Sequence, residues 1–180
     1  SDLVTHTTGA ESESWQQTGL APNTQYAMQV AATNSAGDSD KTDNYTTWTL
    51  AATPLTPTLG NPTVTTLDVS ITAGDGNPAG TEYALFCSPL SQWIQGDGTL
   101  GVSPVWQTAA AWGTKTITGL NGATQYSVSA QARNFAGIGT ALSSSASAWT
   151  QVTLTYIAGA GGWIDGASTQ TVNHGGNGTQ

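Results

Sequence analysis

Charge is what this sequence has least of. Of its 180 residues only 8% are Asp, Glu, Lys or Arg, against roughly 25% in an average soluble domain. The surface must therefore be built from uncharged polar groups, and Gly, Ser, Thr and Ala fill much of the chain. Basic residues are rarest: Lys41, Lys115 and Arg133 face 11 acids, for a formal net charge of −8. Such a chain cannot neutralise a run of phosphates, so nucleic acid is excluded and an anionic membrane surface disfavoured. No stretch within it has the apolar run of about 18 residues needed to span a bilayer or reads as a basic amphipathic helix. This stretch is therefore expected neither to span nor to lie on a membrane, and a leader is expected to have been removed or to lie upstream. A single cysteine, Cys87, excludes an intramolecular disulfide framework and any multi-cysteine zinc site. At the end of an apolar strand it reads as a buried thiol.

Helical periodicity is missing too, because no segment keeps apolar residues at i, i+3, i+4 and i+7 and Gly, Pro, Asn and Asp interrupt the chain every few residues. What is present instead is alternation. Leu67, Val69 and Ile71 alternate with Asp68, Ser70 and Thr72; Tyr126, Val128, Ala130 and Ala132 alternate with Gln125, Ser127, Ser129 and Gln131. Each pattern predicts a half-buried strand.

An internal repeat turns the strands into modules. Thr18, Gly19, Leu20, Thr24, Gln25, Tyr26, Ala32, Asn34, Ala36 and Gly37 recur, without a gap, as Thr118, Gly119, Leu120, Thr124, Gln125, Tyr126, Ala132, Asn134, Ala136 and Gly137. Met28 and Val30 stand opposite Val128 and Ala130, and Trp48 and Trp149 follow at nearly the same offset in an expected last strand.

Gly-Leu-x-x-x-Thr-x-Tyr, an alternating strand and Asn-x-Ala-Gly, all present twice, resemble the E-to-F corner, F strand and F–G loop of a fibronectin type III domain. The resemblance implies an all-β fold of tandem immunoglobulin-like antiparallel sandwiches. It implies Leu20 and Leu120 buried at the end of strand E, and Tyr26 and Tyr126 as tyrosine corners whose hydroxyls return to the corner backbone. In the second copy the expected strands are 62–64 (A), 67–72 (B), 81–87 (C), 103–108 (a middle strand), 115–118 (E), 125–133 (F) and 145–150 (G). Residues 77–83 and 105–114 resemble a variety of the domain frequent in large secreted bacterial proteins. The family's strand-B tryptophan is replaced near Ile71, and Trp106 or Trp112 is expected to fill that volume.

Three units follow: 1–53 as the rear half of one such domain, 54–150 as a complete one, and 151–180 as a third segment. The stretch Thr53-Pro-Leu-Thr-Pro57 reads as a short, stiff connection. Residues 156–178 resemble the opening of the β-repeat of internalin B-type bacterial surface proteins, a hairpin that begins a longer module. The chain is expected to start and stop inside modules, with the missing strands upstream in the same chain or supplied to the half-sandwich by a neighbouring subunit.

No catalytic set stands out. A hydrolase or transferase needs a nucleophile with a base, or paired carboxylates. His6 and His174 lie in the two end units and read as an exposed strand residue and a turn residue. Asp38, Asp40 and Asp43, with Asn44, form one acidic cluster that could offer oxygens to calcium, though a solvated loop is the expected state. Asp75 and Asp97 read as turn formers. Trp93 and Trp163, in loop or turn contexts, are candidates for stacking on glycans; Trp15, Trp48, Trp106, Trp112 and Trp149 fall on strand-like positions and are expected in the core or between modules. Asn44-Tyr-Thr46 and Asn177-Gly-Thr179 fit a glycosylation acceptor. The sequence thus points to a non-catalytic structural or adhesive stretch of a large extracellular, cell-surface protein, in a fibre, sheath or surface layer, whose partners are other modules or copies of itself. The alternative is a spacer or carbohydrate-binding accessory of a secreted polysaccharide-degrading enzyme.

Overall fold

The computed structural model describes residues 14–178. His6 and Thr179 lie outside them.

The second module is a closed sandwich of two antiparallel sheets. One sheet holds β5 (Thr58–Gly60), β6 (Leu67–Ser70) and β11 (Thr114–Ile117) in the order β11-β6-β5. The other holds β7 (Glu82–Ser88), β8 (Gln92–Ile94), β9 (Leu100–Gly101), β12 (Gln125–Arg133) and β13 (Ala146–Trp149) in the order β13-β12-β7-β8-β9, with β10 (Gln107–Thr108) on β7. In family terms this is A-B-E packed on G-F-C-C′, a fibronectin type III-like arrangement.

Alternation places the core. β12 is buried at every second residue, Tyr126, Val128, Ala130 and Ala132, and β7 lies on it in full register from Ser127↔Ser88 to Arg133↔Glu82. Leu67 and Val69 of β6 and Ile117 of β11 close the core from the opposite sheet. Trp112, on the single helical turn α1 (Ala109–Trp112) rather than on a strand, is buried in this core. Thr108 caps that turn by accepting the Ala111 N–H, and the Trp112 indole donates to the Tyr83 carbonyl at 2.8 Å, so the ring enters the core with its N–H satisfied.

The structure corrects two expected strands and adds two. Strand A is Thr58–Gly60, not 62–64; at that place the Thr63 hydroxyl accepts the Thr65 and Thr66 N–H groups and closes a turn. The middle strand shrinks to Gln107–Thr108, because Gln95 donates its amide to the Ser103 carbonyl and holds the preceding segment off the sheet. The added pair is the β8–β9 hairpin, which puts Trp93 on a strand, half-buried, with Phe86 edge-on at 5.1 Å, instead of in a loop. Gly98 makes its turn: φ is +89°, and a Cβ there would overlap the Thr116 carbonyl.

The first module, among the described residues, has β1 (Gln25–Met28) paired with β4 (Tyr45–Trp48) and a small β2 (Thr33–Asn34)–β3 (Gly37–Asp38) hairpin. β14 (Val152–Thr155) and β15 (Thr169–Val172) form a hairpin after the second module. No described helix is long and apolar enough to cross a membrane.

Candidate functional site: the junctions between modules

Each module ends in the same polar clamp, written by the repeat. The Tyr26 hydroxyl accepts the Ala21 N–H at 3.0 Å and the Tyr126 hydroxyl the Asn121 N–H at 2.9 Å. Thr24 and Thr124 donate their hydroxyls to Pro22 and Gly122 carbonyls, and Thr49 and Thr150 donate theirs to Ala21 and Asn121 carbonyls. These bonds lock the end of the last strand to the corner before strand F. Leu120 is buried and Leu20 half-buried over the two corners.

The two corners differ at three positions, Ala21-Pro22-Asn23 against Asn121-Gly122-Ala123, and at the third of these the first clamp reaches into the second module. Asn23, with φ +44°, is buried; its side-chain amide donates to the Thr81 hydroxyl at 2.7 Å and its carbonyl accepts the Phe135 N–H at 2.7 Å. The equivalent Ala123 keeps the left-handed backbone, φ +53°, without the side chain. Three further contacts close the junction. Asn134 donates to the Thr49 carbonyl at 3.0 Å, Asn77 both accepts the Ala52 N–H and donates to the Ala52 carbonyl, and Trp48 meets Phe135 edge-on at 4.9 Å. Ala51, in the first unit by sequence, packs in the hydrophobic core of the second, and Pro54 and Pro57 are buried beside it.

The second junction reuses the aromatic idea with other residues. Trp149 stacks flat on His174, centroids 3.7 Å apart and planes within 3°, and Gln151 donates its amide to the Asn173 side chain at 3.0 Å. In both junctions a last-strand Trp therefore meets a ring that follows an asparagine in the next unit's turn: Asn134-Phe135, then Asn173-His174.

No family model matches the chain, and no curated protein matches it. Among solved structures it is similar to domains d3–d4 of the rat CD45 extracellular region (14% identity, TM-score 0.44, covering 81% of this chain and 73% of that one). It is also similar to the fibronectin type-III domain of human fibronectin type III domain containing protein 3 (20%, 0.40, 55% and 84%) and to chicken CNTN1 FN1–FN3 domains (17%, 0.41, 73% and 44%). These likenesses are distant; the fold assignment rests on the strand order above.

The remaining sequence candidates scatter. Asp38, Asp40 and Asp43 are exposed, and among the described residues no three His, Cys, Asp or Glu side chains gather as metal ligands. Asp75 and Asp97 do shape turns: Asp75 accepts the Asn77 N–H, and Asp97 accepts both the N–H and hydroxyl of Thr99, bonds that hold its carboxyl below the usual range. Asp75 also takes the Tyr83 hydroxyl at 2.8 Å; burial first, and this bond second, push the phenol up to about 12. Cys87 is buried and its thiol pushed up to about 11 by desolvation, which leaves it a poor nucleophile. Trp163 is 85% exposed and Trp15 46%. Trp106 lies outside the strands under the Arg133 guanidinium, 4.9 Å from its centre, while Arg133 also pairs with Glu82. The residues that sequence reasoning missed are Asn23, Asn77, Thr81 and Phe135; the one local signal was the corner itself, where Ala21-Pro22-Asn23 stands against Asn121-Gly122-Ala123 inside the repeat.

Proposed function

We propose that this chain is a rigid, non-catalytic stretch of a modular extracellular protein of bacterial surface type, passing load or spacing along an array of sandwiches. Its units are residues 1–53, 54–150 and 151–180, and its partners are further modules of the same kind. The observation that carries this reading is the first junction: Asn23, Thr81 and Asn134 are buried polar residues whose hydrogen bonds cross between modules, an expense that a flexible tether would not need. The test is small-angle scattering combined with NMR relaxation. Residues of β1 and β12 are expected to share one rotational correlation time and the scattering to fit a single fixed arrangement. Independent tumbling of the two sets would sink the reading.

A second reading, an accessory module that binds glycans, is favoured by the half-buried Trp93 and Phe86 rings on the face of β7 and β8 turned away from the core. It predicts a change in tryptophan fluorescence on titration with a broad panel of polysaccharides, lost in Trp93→Ala. Silence across the panel removes it.

A further inference from the structure

The β13-β12-β7-β8-β9 sheet of the second module has a face turned away from the core, and alternation decides what stands on it. Val128 and Leu85 point inward, so Ser129, Phe86, Trp93 and Gly101, paired in turn across β12, β7, β8 and β9, form one row on the outer face. Three strand spacings of about 4.8 Å make that row roughly 14 Å long. Phe86 and Trp93 meet edge-on at 5.1 Å and are both half-buried, so their rings are held in place and still reached by solvent. The glycine at the end of the row has its own part: a Cβ on Gly101 would come within 2.7 Å of the Gln95 amide nitrogen, so its absence lets the Gln95 side chain lie there. That amide donates to the Trp93 and Ser103 carbonyls, both at 3.0 Å. With its N–H groups engaged, what Gln95 presents is its carbonyl oxygen, a fixed acceptor beside the ring. The charges on this face cancel. Arg133 Nε donates to its cross-strand neighbour Glu82 at 2.6 Å while the guanidinium lies 4.9 Å from the Trp106 ring centre, and the other outward residues of β7 and β12 are uncharged.

We propose that this face is a platform for a neutral polysaccharide, lying across the strands with one sugar ring on Trp93 and a hydroxyl donating to the Gln95 carbonyl. The chemistry of the face selects this occupant. A sugar is amphipathic in the same way as the row: its C–H bonds pack on an aromatic ring, whose face carries negative charge density, and its hydroxyls need placed polar partners, here Gln95 and the Ser129 hydroxyl. A uronate or sulfated chain would find no unpaired cation on the face, because Glu82 already holds Arg133, and would be repelled by a chain of net charge −8. A protein interface of standard size buries about 800 Å² on each side, far more than a row one residue wide offers. The inference rests on the glycan-binding reading above and names the ligand class and the contacts of that site.

The probes are cellohexaose, xylohexaose and mannohexaose as neutral chains and hexagalacturonate as the charged one, titrated into the 180-residue chain and followed by amide chemical shifts and tryptophan fluorescence. Saturable binding with a Kd below about 1 mM is expected for at least one neutral chain, and binding at least about tenfold weaker for hexagalacturonate. Shifts should gather at Phe86, Trp93, Gln95, Ser129 and Gly101. Trp93→Leu should weaken binding about tenfold or more, whereas Trp93→Phe, which keeps a ring, should retain most of it. The near-ultraviolet signature of the buried Trp112 reports that each variant is folded. Trp163→Ala, which removes a ring 85% exposed in another unit, should change nothing. Equal loss in Trp93→Leu and Trp93→Phe, a preference for hexagalacturonate, or shifts gathered around Trp163 overturns the proposal yet leaves the accessory reading standing. Self-association at rising concentration that Trp93→Leu abolishes also overturns it, by giving the face to a second copy. So does silence toward all four probes. Only silence across the broader polysaccharide panel removes the accessory reading as well, so the two fail separately.

Discussion

Asn23 shows what one side chain adds to a repeated corner. Its amide satisfies both the Thr81 hydroxyl, on a buried residue, and the Phe135 N–H. Asn23→Ala removes two bonds and leaves the hydroxyl of the buried Thr81 without its partner, where an unmade bond costs about 1–3 kcal/mol. The variant is expected to unfold at lower denaturant, and amide exchange at Phe135 should quicken by about tenfold or more. Ala123→Asn, at the matching corner, should leave stability within about 0.5 kcal/mol. Equal effects of the two substitutions would show that the clamp, not the junction, holds the energy. Tyr83 gives a second residue-scale expectation. Its folded value of about 12 lies above the ordinary 10, so the fold favours the neutral phenol. The stability this contributes is complete below pH 10 and is lost as pH rises through about 12. Because Asp75 also holds Asn77 at the Ala52 contact, alkaline titration should loosen the junction. Tyrosinate absorbance and denaturant midpoints on either side of that window check it.

Among the elements, β12 was legible from residue types alone: nine alternating residues opened by a corner tyrosine leave one register that buries the apolar set. The β8–β9 hairpin was not, since its strands are three and two residues long and the signal between them, Gln-Gly-Asp-Gly, reads only as a turn. Strand A was misplaced because Pro62 and the threonines after it look extended until Thr63 turns its hydroxyl on its neighbours. Trp112 was expected as core filler but on a strand; the four residues of α1 are too few to show a period. The junction was hidden for a different reason: its bonds join residues 58, 85 and 112 apart, and no local pattern encodes a contact at that range. The β8–β9 turn supplies the element-scale prediction. Gly98→Ala forces a left-handed φ on alanine and drives its methyl into the Thr116 carbonyl, where β11 cannot retreat without breaking its ladder to β6. A loss of about 2 kcal/mol or more is expected from strain and overlap together. Gly119→Ala, also at positive φ but with open space around its Cβ position, should cost no more than about 1–2 kcal/mol. Paired chemical denaturation of the two variants separates overlap from backbone strain.

For the whole molecule, the scarcity of charge decides how the array should respond to its surroundings. Among the described residues one ion pair is present, Arg133 with Glu82, partly exposed and therefore worth at most about 1 kcal/mol. Among the described residues, the contacts named above across the first junction are amide, hydroxyl, carbonyl or ring, and they have no net charge for salt to screen. The net charge of −8, in contrast, repels itself along the chain, and salt relieves that repulsion. Raising sodium chloride from about 20 mM to about 0.5 M, where the Debye length shrinks from roughly 20 Å to a few ångströms, should therefore leave the scattering profile unchanged and hold or slightly raise the unfolding midpoint. A junction built on charge pairs would do the reverse, with the profile broadening toward independent modules as salt rises. Scattering and thermal unfolding across that series thus ask whether an uncharged surface chemistry makes the spacing of the modules indifferent to the medium around them.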